Sequence, residues 1–233
     1  LPLTAVFRPE PWVAGTFSTY GATVIVLFSA LMLGYIAVQA PPPGTAALAG
    51  GLMLFAIGFA ATLSGHASTA DPQWLMRAAI FTHVASITWW VGSLLPLSLT
   101  LRQESGRSAT PLIRFSRWIP FAVVPLVASG VTLAIVQLGW PGDPWLTPYG
   151  YILAGKLLLL AILFAAASYN RWVLTAPAVR GEDRAIRRMR QTIVTEIALV
   201  LAILALVALW RFTPPPRALV TAPPATEMRV ELT

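Results

Sequence analysis

The two histidines, His66 and His83, are the only imidazole groups in this 233-residue chain. Both fall near the same predicted edge of the membrane. Imidazole nitrogen is a ligand for copper, zinc, iron and nickel, and ionisable groups within a membrane are costly and usually functional. Because the chain has no cysteine, any metal must be held by nitrogen, thioether or oxygen. The pair therefore predicts a metal, or a cofactor that contains one, at this edge.

Two further residues could complete such a site. Met76 precedes His83 by seven residues, which places both on one face of a helix, and Asp71 could add a carboxylate from the preceding loop. Imidazole and thioether ligands together suit copper, as Cu+ or Cu2+. In the alternative, the histidines hydrogen-bond a neighbouring helix or a lipid headgroup, and Met76 only fills space in the core.

Three other residues within the apolar runs are candidates for an ion path or its polar support. Lys156 lies at nearly the depth of His83, and Glu196 lies close to the opposite end of the last run. Either could serve a cation path, although Lys156 could also extend its amine towards water and Glu196 could pair with Arg190. Trp90 shares a helical face with His83 and could wall a pocket or simply pack between helices.

The composition predicts an all-α, polytopic membrane protein. Hydrophobic residues make up 57% of the chain, charged residues 11%, and the mean hydropathy is +0.72. A membrane-spanning helix needs roughly 20 apolar residues, and continuous Leu- and Ala-rich runs of this kind exclude a β-barrel. The six predicted spans are 17–40, 46–64, 77–101, 118–139, 149–170 and 192–211.

The basic residues orient the predicted bundle. The net charge is +7, but the charges lie in connections between apolar runs, which argues against nucleic acid as a partner. Because cytoplasmic connections collect arginine, the third and fifth are predicted to be cytoplasmic, with both termini on the outer, periplasmic side. Their arginines are Arg102, Arg107, Arg114 and Arg117 in the third, and Arg171, Arg180, Arg184, Arg187, Arg188 and Arg190 in the fifth.

Three regions follow from these spans. Residues 1–16 form an outer, proline-containing lead that does not begin with Met, and we expect a processed product or part of a longer protein. Residues 17–211 form the six-helix transmembrane domain, and residues 212–233 form an outer, proline-containing tail. No phosphate-binding loop, nucleophile elbow or His-Glu-x-x-His pair is present, so we expect no ATP-driven pumping and no enzyme activity.

Several ordered motifs resemble those of the CopD copper-resistance membrane proteins. The run from Thr82 to Leu97 (THVASITWWVGSLLPL) resembles their His…Trp-x-Gly signature. Further similarity lies in Ser-Gly-His-Ala at 64–67, Phe-Ser-Arg at 115–117, YGYILAGK at 149–156, Asn170-Arg171, Glu196, and Thr-Pro-Pro at 213–215. The resemblance covers most of residues 50–216.

The resemblance implies a multi-pass protein of the bacterial inner membrane that takes part in copper uptake, homeostasis or resistance. Its partners would be the lipid bilayer and a periplasmic CopC-like copper-binding protein, and a homo-oligomer is compatible with it. The matched candidates are His66 and His83, with Lys156 and Glu196 as matched polar positions. The chain lacks a methionine-rich or histidine-rich tail, which argues against high-capacity copper storage.

Two alternatives stay open at this point. HemJ-type membrane oxidases have a similar bundle, so the chain could be a redox protein that binds haem b, with His83 as an axial ligand and Lys156 near it in depth. The other alternative is a membrane partner of a periplasmic copper chaperone that transports nothing itself. The interpretation that we favour is movement of copper from the periplasmic side through the bundle.

Overall fold

The protein is built from helices. A computed structural model describes residues 8–39, 42–65, 70–101, 109–140, 142, 146–209 and 213, and within these ranges it contains no strand. The helices are α1 (Pro9–Thr16), α2 (Thr19–Gln39), α3 (Pro43–Leu63), α4 (Gln73–Thr100), α5 (Ala109–Trp118), α6 (Pro120–Leu138), α7 (Pro148–Tyr169), α8 (Thr175–Val179) and α9 (Asp183–Ala208), with a π-helical turn (Asn170–Leu174) between α7 and α8.

Six helical stretches in the described part of the chain are long and apolar enough to cross a membrane. They correspond one for one to the six predicted spans, and they confirm the all-α membrane fold. The orientation of the bundle, with both termini outside, stays a prediction.

The ends of the spans differ from the prediction where arginines are frequent. Arg114 and Arg117 were expected in a loop but lie on α5, and α9 begins at Asp183 rather than near residue 192. Arginine has a high helix propensity, so these helices continue past the apolar stretch that defines the membrane crossing. We call this the arginine-rich end of the bundle. The predicted outer lead also contains a short helix, α1, and residues 214–233 lie outside the described ranges.

Proline and glycine set the helix ends. Pro148 occupies the first turn of α7, and the hydroxyl of Thr147 caps that helix by accepting a hydrogen bond from the Gly150 backbone N–H at 3.2 Å. Proline has no N–H to satisfy and its φ suits a first turn. Gly139 after α6 and Gly181 before α9 have φ of +76° and +84°, which residues with a Cβ rarely adopt.

The packing divides the bundle into a core and a peripheral hairpin. α2 and α3 pack as an antiparallel pair that meets the rest of the bundle through the α3–α4 contact. The main buried cluster comes instead from α4 to α9, with Trp90, Leu94, Leu126, Leu163 and Met189 among its members. α6 and α7, although consecutive in sequence, make hardly any contact with each other, because α6 packs on α4 and α7 packs on α9.

Cysteine labelling tests the orientation, since the chain has no native cysteine. Gln73 and Arg184 are exposed and begin α4 and α9 at opposite ends of the bundle. A membrane-impermeant maleimide added to spheroplasts should label Gln73→Cys directly and Arg184→Cys only after the membrane is permeabilised. The reverse pattern would overturn the predicted orientation.

Candidate functional site

His83 lies in the contact between α4 and α6. Its Nδ1 is 3.2 Å from the backbone oxygen of Leu126 and 3.3 Å from Oγ of Ser129. A carbonyl oxygen only accepts hydrogen bonds, so the ring proton is on Nδ1 and the lone pair is on Nε2. Metal-binding histidines commonly have this arrangement, in which one nitrogen is fixed by a carbonyl and the other is the ligand.

A glycine on α6 makes this approach feasible. A Cβ built on Gly130 would lie 3.2 Å from Cε1 of His83 and 3.4 Å from its Nδ1, so a larger residue would push the ring away. Ser129 is held in place in turn, because its hydroxyl is 2.7 Å from the Pro125 carbonyl oxygen and 3.0 Å from that of Leu126. The imidazole is therefore fixed by both the shape and the hydrogen bonds of α6.

His83 and Lys156 line one cavity of about 360 Å³, which we call the histidine cavity. Its other lining residues are almost all apolar and come from α4, α6, α7 and α9. Lys156 is the one lysine in the sequence; the other 15 of the 16 basic residues are arginine. The sequence predicts similar depths for His83 and Lys156, and the structure places both at one cavity.

The other proposed ligands lie elsewhere along the chain. Met76 is completely buried, and the seven residues that separate it from His83 advance a helix by about 10 Å, while the His83 ring contacts α6. Asp71 is exposed before the start of α4, and His66 lies outside the described residues. Within the described ranges, no three histidine, aspartate or glutamate residues cluster as a metal site. The four-residue ligand set stays a prediction.

A second cavity, of about 520 Å³, lies nearer the arginine-rich end. We call it the glutamate cavity, because it contains Glu196, which is only 2% exposed. Asn170 donates a hydrogen bond from Nδ2 to Oε1 of Glu196 at 2.5 Å, and the hydroxyl of Thr192 donates to Oδ1 of Asn170. Glu196 therefore does not pair with Arg190, as one alternative had it: no basic nitrogen of the described residues lies within 4 Å of it.

The π-helical turn presents Asn170 and Arg171 to the glutamate cavity. The backbone N–H of Thr175 bonds the carbonyl of Asn170, five residues earlier. Arg171 donates from Nη1 to the backbone oxygen of Ser116 on α5 and lies 3.2 Å from its Oγ. π-helical turns are rare and frequent at functional sites, and here the turn joins Glu196 on one side to α5 on the other.

Trp90 and Phe164 separate the two cavities. Their rings stack, with centroids 5.6 Å apart and planes 6° from parallel, and both side chains line both cavities. Trp90 is 1% exposed and belongs to the main buried cluster. Trp90 therefore both lines the cavities and packs within the core of the bundle.

Sequence reasoning missed the partners of these ionisable residues. Asn170 and Arg171 were noted as a motif, but their contacts to Glu196 and Ser116 were not anticipated. Ser129 and Thr192 were not singled out. Ionisable groups in a membrane need partners within the bundle. A polar residue in an apolar run, at a depth similar to that of an ionisable residue, could therefore have been predicted as its partner.

The comparisons with known proteins point to copper resistance. Residues 109–210 match the family model described as Copper resistance protein D, CopD. This part of the chain is therefore similar to the CopD family. The matched range runs from α5 through α9 and so includes Lys156, Asn170 and Glu196, whereas His83 precedes it.

Two curated relatives agree with the CopD match. Inner membrane protein YebZ of Escherichia coli (strain K12) is 37% identical over 108 residues, which cover 44% of this chain and 37% of that protein. Copper resistance protein D of Pseudomonas syringae pv. tomato is 33% identical over 149 residues, which cover 58% of this chain and 47% of that protein. The chain thus spans less than half the length of either relative. No solved structure matches it significantly.

The Arg171 contact makes a stability prediction with a matched control. Arg171→Met removes a hydrogen bond from a charged donor to the Ser116 backbone, and we expect the free energy of unfolding to fall by about 1.5 to 3 kcal/mol. Arg187→Met makes the same change at an exposed arginine on α9 and should change this free energy by less than about 0.5 kcal/mol. Denaturant unfolding in detergent micelles measures both, and equal stability of the two variants would contradict the anchoring of α5 by Arg171.

Proposed function

We propose that the chain is a bacterial inner-membrane protein that takes copper from the periplasmic side and moves it through the bundle. The match of residues 109–210 to the CopD family model supports the copper link, and the name of the YebZ relative supports the inner membrane. In this proposal copper is cargo, a CopC-like protein delivers it, and the chain carries out no covalent chemistry.

One observation carries the proposal: two cavities follow one another along the bundle, and each contains an ionisable residue that lipid would exclude. The histidine cavity contains His83 and Lys156, and the glutamate cavity contains Glu196. Ionisable groups that face an internal cavity mark ion pathways. The stacked rings of Trp90 and Phe164 lie between the cavities, so an ion passes only when this pair separates.

The histidine cavity and the glutamate cavity differ in chemistry, and this difference suits passage of an ion in one direction. Imidazole nitrogen at His83 is a good copper ligand, whereas the carboxylate of Glu196 attracts a cation by charge. Lys156 lines the same cavity as His83, and like charges repel strongly in a medium of low dielectric constant. This favours brief occupancy of His83 over storage of the ion.

Copper binding and accumulation test the proposal. Replacing both histidines (His66→Ala with His83→Ala) should abolish copper-dependent accumulation by cells and lower the copper affinity of purified protein at least tenfold, since even residues that only support a metal ligand cost 10- to 100-fold on mutation. Thr82→Ala, next to His83 on α4, is the matched control and should leave both unchanged. Met76→Leu asks separately whether the thioether contributes.

The outcomes of this experiment are distinct. Unchanged accumulation in the double variant would overturn the proposed path. Copper binding without flux in sealed vesicles would instead support the alternative of a membrane partner that binds copper for a periplasmic protein and transports nothing.

The histidine cavity also favours a second candidate, a haem-binding redox protein. His83 and Lys156 share an apolar space, and the lone pair of His83 is on Nε2, the nitrogen that binds an axial metal. The donor set therefore fits haem b, which His83 would hold through Nε2, and Lys156 lines the same cavity. Bound haem would supply electron-transfer or oxygen chemistry; the protein would supply the ligand and the water-poor surroundings.

An absorption spectrum separates the two candidates. The copper proposal predicts that freshly purified protein contains copper by elemental analysis and lacks an intense Soret band. The haem candidate predicts a Soret band that His83→Ala shifts or removes, while Thr82→Ala retains it. A Soret band lost in this way would overturn the copper proposal as the account of the histidine cavity.

A further inference from the structure

We propose that Glu196 is a proton-binding site, and that the side-chain amide of Asn170 reverses its orientation each time the proton binds or leaves. The inference concerns the protein without copper and goes beyond the proposed copper movement. It rests on the burial of Glu196, on its hydrogen-bond partners and on the cavity beside it.

The burial of Glu196 disfavours its ionised form. The side chain is 2% exposed within the bundle, and an ionised carboxylate in apolar surroundings is very unfavourable unless it is paired. Its described partner, Asn170, is neutral. A bound cation or a bound proton can neutralise the carboxylate.

In the protein without copper, the hydrogen bonds of Asn170 argue against a resident metal ion on Glu196 and leave a proton as the neutralising species. The Asn170 amide turns its N–H towards Glu196 and its oxygen towards Thr192. A metal ion bound by the carboxylate would need further oxygen ligands, and the amide presents a donor there instead. Among the described residues, no group of three or more histidine, aspartate or glutamate side chains could hold a metal ion here.

The charged surroundings of Glu196 are sparse. The described residues that line its cavity include one charged side chain besides Glu196, that of Arg171 on the π-helical turn, and its guanidinium is directed at Ser116. The other described residues that α4 to α9 contribute to the lining of this cavity all have neutral side chains.

The network of Glu196, Asn170 and Thr192 is complete in both protonation states. With Glu196 ionised, Nδ2 of Asn170 donates to Oε1, and the Thr192 hydroxyl donates to Oδ1. When a hydronium ion transfers its proton to Oε1, one O–H bond of the hydronium breaks, a water molecule is released, and the O–H bond that forms makes the carboxyl a donor. The amide then reverses, so that Glu196 donates to Oδ1 and Nδ2 donates to Oγ1 of Thr192.

Thr192 can accept in the second state because its own proton has another destination. Its Oγ1 lies 2.9 Å from the carbonyl oxygen of Met189 and 3.1 Å from that of Arg188. In both states a donor therefore faces an acceptor at each of these two contacts, with the amide nitrogen and oxygen exchanging places, so neither contact leaves an unsatisfied polar group. Asn170 acts here as a positioning residue for the proton site.

Infrared difference spectroscopy of the copper-free chain of residues 1–233 in lipid nanodiscs tests the proton site. Across a pH titration, wild-type protein should show the C=O stretch of a protonated carboxyl that shifts in D2O and is absent from Glu196→Gln. Spectra of the two proteins that match at every pH would overturn the proposal.

The sequence allows a direct observation of the amide. Asn170 is the only asparagine in the chain, so asparagine-selective 15N labelling gives a single asparagine side-chain signal. This signal should change with pH at the same midpoint as the carboxyl band, and it should stop changing in Glu196→Gln. A signal that stays constant while the carboxyl titrates would overturn the reversal. Because this measurement uses wild-type protein, it is decisive even where a variant fails to fold.

A substitution of the amide separates its effect from general disturbance. Asn170→Leu removes the donor to the ionised carboxylate, so the protonated fraction should be larger at each pH, equivalent to about a tenfold or greater change in proton affinity. Thr195→Val is the control, because the Thr195 hydroxyl is exposed and bonds its own helix at Gln191. An unchanged titration in Asn170→Leu would overturn the coupling. Since copper is absent throughout, failure of the proton site and failure of the copper proposal are distinguishable.

Discussion

Ionisable side chains within a bilayer must find their partners inside the protein, and this constraint organises the bundle. His83, Lys156 and Glu196 all face space enclosed by α4, α6, α7 and α9. That space exists because α6 packs on α4 and α7 packs on α9, while α6 and α7 hardly meet. The hydrogen bonds of His83 to α6 and of Glu196 to the π-helical turn then fix which group faces which cavity.

The composition and charge pattern were sufficient to predict the all-α membrane fold and the six spans, because apolar runs of this length have few alternatives. The spans were misjudged where Arg114, Arg117 and the arginines from Arg184 onwards extend the helices beyond the apolar stretch. Hydropathy predicts which residues lie in the lipid, whereas helix propensity determines how far each helix extends beyond them.

Only part of the candidate site could be predicted from the sequence. The depths of His83 and Lys156 could be read along their helices, and the structure indeed places both at one cavity. The contact of Asn170 with Glu196 joins residues 26 positions apart, and its geometry depends on a π-helical turn that periodicity does not reveal. Met76 lies on the same helix as His83 and is buried, and its role as a ligand stays a prediction.

The π-helical turn holds one residue more than an ordinary helical turn would need to cover the same length. Each residue of an α-helix rotates the chain by about 100°, so the extra residue sets the rotational phase between α7 and α8. Asn170 faces Glu196, while Leu174 at the end of the turn and Ala178 beyond it still belong to the buried cluster. Deleting a single residue between them would restore a regular helix and force a choice: either the amide leaves the carboxylate, or the following segment loses its packing.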